Sequence, residues 1–221
     1  MDKLLDQFFN VGIMVAAWPT ILQGLGMTLL LCLIVIPLGV AGGLLAALAS
    51  LTPRRWLRWP AIALVDLFRA IPPLVLLMFV YAGLPFAGIR MSPFVAVAIA
   101  FMLNNSAYYG EVLRAGILSV ARGQNEAARS TGMTHAQTMR AVVLPQAVRN
   151  VLPDLISNTI EVVKLTSLAS VVSLGEMLHA ANLARSITYN ASPITLAALV
   201  YLILLWPFVR LVSRWQRKIA V

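Results

Sequence analysis

Five predominantly apolar stretches, each about as long as a helix that crosses a lipid bilayer, dominate this sequence. They run over roughly 24–51, 59–84, 92–113, a segment within 151–178, and 194–212. The hydrocarbon layer holds no water, so each backbone N–H and C=O must find its partner inside the segment. Single segments therefore cross as helices. Only 11% of the 221 residues are charged, against roughly 25% in a soluble domain. The expected fold is an all-α integral membrane protein with about five transmembrane helices. No repeat, linker or low-complexity tract divides the chain, so residues 1–221 are expected to form a single transmembrane domain.

The basic residues orient it. Arg54, Arg55 and Arg58 follow the first span. Arg122, Arg129, Arg140 and Arg149 lie between the third and fourth, and Arg210, Arg214, Arg217 and Lys218 end the chain. The opposite side carries only Lys3, Arg90 and Arg185. Positive residues mark the cytoplasmic side. The N-terminus is therefore expected outside and the C-terminus in the cytoplasm, as an odd number of spans requires. The net charge of +9 is accounted for by topology, without nucleic acid as a partner. Residues 1–20 lack the basic start of a cleavable signal. Their apolar Leu4, Leu5, Phe8, Phe9 and Ile13 suit a short outer interfacial segment. Cys32 reads as a small buried hydrophobe. His135 and His179 fit no metal spacing, so no metal site is expected.

Charges and polar groups inside the spans point to transport. Asp66 with Arg69, Glu111 with Arg114, and Glu161 with Lys164 are spaced three apart, on one helix face, where they can neutralise each other. All three pairs are expected in the inner halves of their spans, as struts or as an inner gate. Asn104, Asn105, Ser106 and Tyr108 fall near the middle of the third span, and Thr166 and Ser167 near the middle of the fourth. Pro72 and Pro73 interrupt the second span at similar depth and remove two backbone donors. Non-helical backbone at that depth is tolerated only against protein or a water-filled cavity. Each such group alone could be interhelical glue. Together they suggest a polar translocation pathway.

The loop between spans three and four is a polar, helix-forming stretch over 121–145. Asn125 is expected to cap a helix that starts at Glu126, where an anion suits the helix dipole. Gly132 fits the left-handed position just past its end. Thr134 then caps a second helix, with Gln137 completing a capping box. Leu144 and Pro145 mark a further boundary.

The succession Glu126-Ala127-Ala128, Gly132 and Leu144-Pro145 resembles the cytoplasmic signature loop of permease subunits in ATP-binding-cassette importers. Phe68 through Val75, Ser106-Ala107-Tyr108 with Glu111, Arg114 through Ile117, Gly123-Gln124, Leu144 through Ala147, and Lys164 with Thr166-Ser167-Leu168 are similar to the polar-amino-acid branch. Gln23-Gly24 with Thr28 looks like the opening of that branch's first span. The resemblance covers nearly all of the chain after residue 20. It implies a multi-pass subunit of the bacterial cytoplasmic (inner) membrane that pairs with a second permease subunit, identical or homologous. A dimer of ATPase subunits would bind ATP and Mg from the cytoplasm, and a soluble binding protein would deliver an amino-acid-like substrate from outside. Glu126, Ala127, Ala128, Arg129, Ser130, Thr131, Gly132 and Met133 would form the coupling helix that seats in the ATPase. The chain has no G-x-x-x-x-G-K-[ST] run to cradle ATP, so no enzyme activity and no cofactor of its own are expected. Leu165 stands where that branch often has Asp, which bears on substrate identity.

Two other classes compete. An ion-gradient transporter acting alone needs an unpaired membrane acid, whereas the acids in the cores of these spans have a basic neighbour three residues on. Five spans also do not halve into equal repeats. A non-transporting scaffold has no use for a proline break beside mid-depth polar groups.

Overall fold

A computed structural model describes residues 2–219 of the chain, with side chains through residue 215. Arg217 and Lys218, counted above for orientation, lie beyond those side chains. A short amphipathic helix, α1 (Asp2–Phe9), precedes α2 (Val11–Leu51). Asn10 caps α2 by accepting from the Ile13 N–H at 3.1 Å. The first span is thus longer than expected. Residues 11–20 belong to α2, with Pro19 inside it, and only α1 forms a separate N-terminal segment. α1 is tied down at its far end, where the Ala191 N–H donates to the Gln7 carbonyl and the Asn190 amide to the Asp6 carbonyl.

α2 packs along α5 (Pro93–Ser119), and glycines set how closely. A Cβ on Gly43 would lie 2.6 Å from Tyr109 Cβ and 2.7 Å from Gly110 N, so only a bare backbone fits there. Gly39, one turn earlier, faces the same Tyr109 ring. The main apolar core gathers on this seam, around Leu31, Val35, Leu77, Val97, Phe101 and Val162. Tyr109 is fully buried and shares a 2.7 Å hydrogen bond with the Thr159 hydroxyl, joining α5 to α9 (Leu152–Leu165).

The second apolar stretch is broken where two prolines meet. α3 (Arg55–Ala70) ends at Ile71, and α4 (Pro73–Met78) leaves at 101° to it, continuing through a π turn (Phe79–Gly83) and a 3-10 turn (Leu84–Ala87). The fourth stretch is also composite. α9 passes into a 3-10 segment (Thr166–Val172), after which α10 (Met177–Thr188) starts a new direction. α11 (Ser192–Ile219) closes the chain. Between α5 and α9 lie α6 (Arg122–Ser130), α7 (His135–Thr138) with a π turn (Met139–Val143), and α8 (Leu144–Asn150).

Three helical runs of the described residues, 2–51, 152–172 and 192–215, are long and apolar enough to cross a membrane. The bent α3–α4 pair makes a fourth if taken as one span. α5, at 27 residues, has the length, about 40 Å, but carries Asn104, Asn105, Ser106, Glu111 and Arg114 along it. The chain is an all-helical, multi-pass membrane protein.

Candidate functional site

The proline break creates a local problem that α5 solves. In a continuous helix the Phe68 carbonyl would accept from residue 72 and the Arg69 carbonyl from residue 73. Both of those residues are proline and have no N–H. The Asn104 amide donates to the Phe68 carbonyl at 3.0 Å, and the Tyr108 hydroxyl donates to the Arg69 carbonyl at 3.4 Å. Asn104 and Tyr108 stand one turn apart on α5, so one helix face satisfies both stranded acceptors. The Arg69 guanidinium also lies over the Tyr108 ring, 5.8 Å from its centroid.

Beside this elbow lies a cavity of about 670 Å³ between α4, α5 and α9. Pro73, Asn104, Asn105 and Tyr108 line one wall, and Glu161, Lys164 and Ser167 another. Asp154, Ser157 and Asn158 extend the polar lining along α9. The cavity is wide enough for a small polar solute. Glu161 and Lys164 form the expected ion pair on its wall. Asn105 is nearly buried and turns its amide to the Phe101 carbonyl at 2.8 Å.

Three of the expected pathway residues lie elsewhere. Pro72 is exposed at the bend, outside the cavity lining. Ser106 faces the opposite side of α5, where a Cβ on Gly42 would meet its hydroxyl at 2.3 Å. Thr166 is fully buried and returns its hydroxyl to the Val163 carbonyl at 2.7 Å.

The ion pairs are also rearranged. Asp66 and Arg69 do not pair with each other. Arg69 instead reaches Glu111 at 4.0 Å, and Glu111 is held by Arg114, whose Nε donates at 2.9 Å. Glu111 therefore bridges two arginines from two helices. Asp66 joins Arg69, Glu111 and Arg114 in lining one small cavity of about 270 Å³, together with Ser50 of α2. The three expected pairs thus divide between two places: Glu161–Lys164 belongs to the large cavity, the rest to this cluster.

One buried acid had no counterpart in the expectations. Glu176 is wholly inaccessible and caps α10, accepting from the Leu178 N–H at 2.8 Å and the His179 N–H at 2.7 Å. The adjacent Met177 N–H donates to the Thr28 hydroxyl of α2 at 3.2 Å. The residue three on is His179, and its backbone N–H at the helix N-terminus, not its side chain, meets this carboxylate. The side-chain pairing expected of acids in the span cores is therefore replaced at Glu176 by a helix cap. The sequence signal was a Glu directly before an apolar helix, a position where Ser, Thr, Asp or Asn is the usual cap.

The polar loop folds largely as its caps dictate. Gly132 has φ +87°, and Thr134 and Gln137 form both bonds of a capping box. The helix start differs: α6 begins at Arg122 with no side-chain cap, which leaves Asn125 inside it. From Arg122 to Gly132 every residue except Ala128 is exposed. Arg129 donates to the Met133 carbonyl, Ser130 to the Glu126 carbonyl and Thr131 to the Ala128 carbonyl, which stiffens the turn. An exposed, internally braced helix with one buried alanine has its own chain on one side only.

A broken span, a polar cavity beside it and a projecting helix–turn–helix together describe the membrane subunit of a transporter. Residues 39–221 match the binding-protein-dependent transport system inner membrane component family, and the chain belongs to that family. It is 37% identical over 198 residues to the probable amino-acid ABC transporter permease protein YckA of Bacillus subtilis, covering 89% of this chain and 87% of that one. It is 34% identical to the arginine transport system permease protein ArtQ of the same organism, covering 84% and 86%. A crystal structure of an amino acid ABC transporter with histidines superposes with a TM-score of 0.83 at 37% identity, over 93% of this chain and 96% of that one. The fold is shared more widely, as with the MetNI methionine ABC transporter at TM-score 0.75 and 21% identity.

Proposed function

We infer that this chain is the transmembrane permease subunit of an importer that moves a polar amino acid or an amino-acid derivative across the bacterial inner membrane. The observation that carries this reading is the near-complete superposition on an amino acid ABC transporter at 37% identity. The α3–α4 elbow and the cavity lined by Asn104, Asn105, Tyr108, Lys164 and Ser167 supply a polar pathway for such a solute. In this reading the five expected spans run from an outer N-terminus to a cytoplasmic C-terminus. Glu126 to Met133 dock into a cytoplasmic ATPase dimer that binds ATP and Mg, and a second permease subunit completes the pathway. A soluble binding protein presents the substrate outside. The Arg69–Glu111–Arg114 cluster, which ties α3 to α5, acts at the inner gate.

The test is purification of the full-length chain in mild detergent, then reconstitution with its co-purifying partners. Recovery of a stoichiometric P-loop ATPase, and ATP-dependent uptake of a polar amino acid into vesicles, are the expected results. A chain that purifies without an ATPase, or that transports with an ion gradient and no ATP, overturns the reading.

A further inference from the structure

α3 packs against both α2 and α5, yet its apolar stripe leaves a groove between the three helices. Leu57, Ala61, Leu64 and Phe68 recur at helical spacing on that face. Opposite them stand Ala46 and Ala49 of α2, with Leu103 and Ala107 of α5 between. Alanines on all three helices leave a groove of about 360 Å³, and Ser106 is its one polar residue. The groove is open along one side and its walls are almost wholly apolar, a surface that suits a hydrocarbon chain.

Two arginines stand at the start of α3, next to Leu57 at one end of the groove lining. Arg54 precedes Leu57 by one turn of the same stripe, and Arg58 follows Arg54 by one turn. Among the described residues no carboxylate lies within 4.0 Å of either arginine. Trp56 and Trp59 flank them and are 72% and 61% exposed. Exposed tryptophans beside arginines at the start of a span mark the headgroup level of a membrane. Arg58 stacks on Trp59, 5.7 Å from the ring centroid, so its guanidinium is held at that level.

We propose that this groove is a binding site for an anionic phospholipid of the arginine-side leaflet, with one acyl chain between α2, α3 and α5 and its phosphate on Arg54 and Arg58. The charge complementarity selects an anionic headgroup over a zwitterionic one, because each arginine near the surface attracts a net negative lipid. The site lies on the opposite face of α5 from the polar cavity and shares no residue with it.

The experiment is native mass spectrometry of the full-length chain, purified in detergent in the complex it forms. It is mixed with dioleoyl phosphatidylglycerol or with dioleoyl phosphatidylcholine. Phosphatidylglycerol is expected to be retained in preference. Arg54→Gln with Arg58→Gln is expected to weaken that retention about fivefold per arginine removed. Ala61→Phe and, separately, Ala49→Leu fill the groove and are expected to abolish it. Equal retention of the two lipids, or retention unchanged in the double-arginine variant, overturns the proposal. Unchanged retention in a folded groove-filling variant also overturns it, since the headgroup then binds a basic surface alone. A groove-filling variant that splits a dimer while lipid retention persists assigns the groove to a second copy instead. Should neither filled groove fold, the arginine variant, whose apolar walls are intact, decides.

Discussion

Replacing Asn104 separates a pathway residue from a structural one. Its amide meets the Phe68 carbonyl at 3.0 Å, and Pro72 cannot, so removing that amide leaves an acceptor with no donor at mid-depth. Asn104 is only 2% exposed, so water does not readily replace it. A stranded buried acceptor costs about 1–3 kcal/mol. For a chain of this size each kcal/mol lowers the unfolding midpoint by roughly 2–4 °C. Asn104→Ala is therefore expected to lower that midpoint by roughly 2–12 °C, followed by tryptophan fluorescence of the purified complex. Asn104→Asp keeps the shape but, when ionised, sets an anion against the carbonyl, and is expected to cost at least as much as Ala. Tyr108→Phe loses the longer 3.4 Å bond to the Arg69 carbonyl and is expected to cost less than either. An unchanged midpoint in Asn104→Ala, together with altered substrate selectivity in uptake, refutes the structural role and leaves Asn104 as a solute contact only.

Gly132→Val places a β-branched residue at φ +87°, a strain of about 1–2 kcal/mol confined to the turn after α6. ATP hydrolysis without uptake is the expected outcome in reconstituted vesicles, with unchanged helical circular dichroism; normal uptake contradicts the coupling role. Gly43→Ala drives a methyl into Gly110 N and Tyr109 Cβ and is expected to destabilise by about 1–3 kcal/mol, measured by the same thermal assay. Glu176→Ala removes both cap bonds of α10 and is expected to cost about 1–2 kcal/mol. Glu176→Gln keeps one acceptor oxygen and is expected to cost less. Equal losses in the two variants argue that the cap bonds are not what Glu176 supplies.

Local chemistry was legible in the sequence, and partner choice was not. The double proline announced the elbow because a missing N–H acts on its own helix. Gly132 and the Thr134–Gln137 box were readable for the same reason, since each acts within four residues. Arg69 could not be assigned from spacing, because Asp66 on its own helix competes with Glu111 on another. Ser106 was misplaced by a rule that was available: successive helical residues point about 100° apart, so Asn104, Asn105 and Ser106 cannot all face one cavity. Glu176 was missed because its burial comes from α2, whose Thr28 lies 149 residues from Met177.

The two bonds from α5 to the elbow have a mechanical consequence. They join residues 36 and 39 positions apart along the chain, and they end on consecutive carbonyls of the same bend. α5 therefore grips the bend as a two-pronged fork grips a bent wire. Only Val120 and Ala121 separate the end of α5 from α6. A push on α6 that shifts α5 along its axis carries the fork with it, and the mouth of the polar cavity moves in step, with no need for the broken span to sense the push itself.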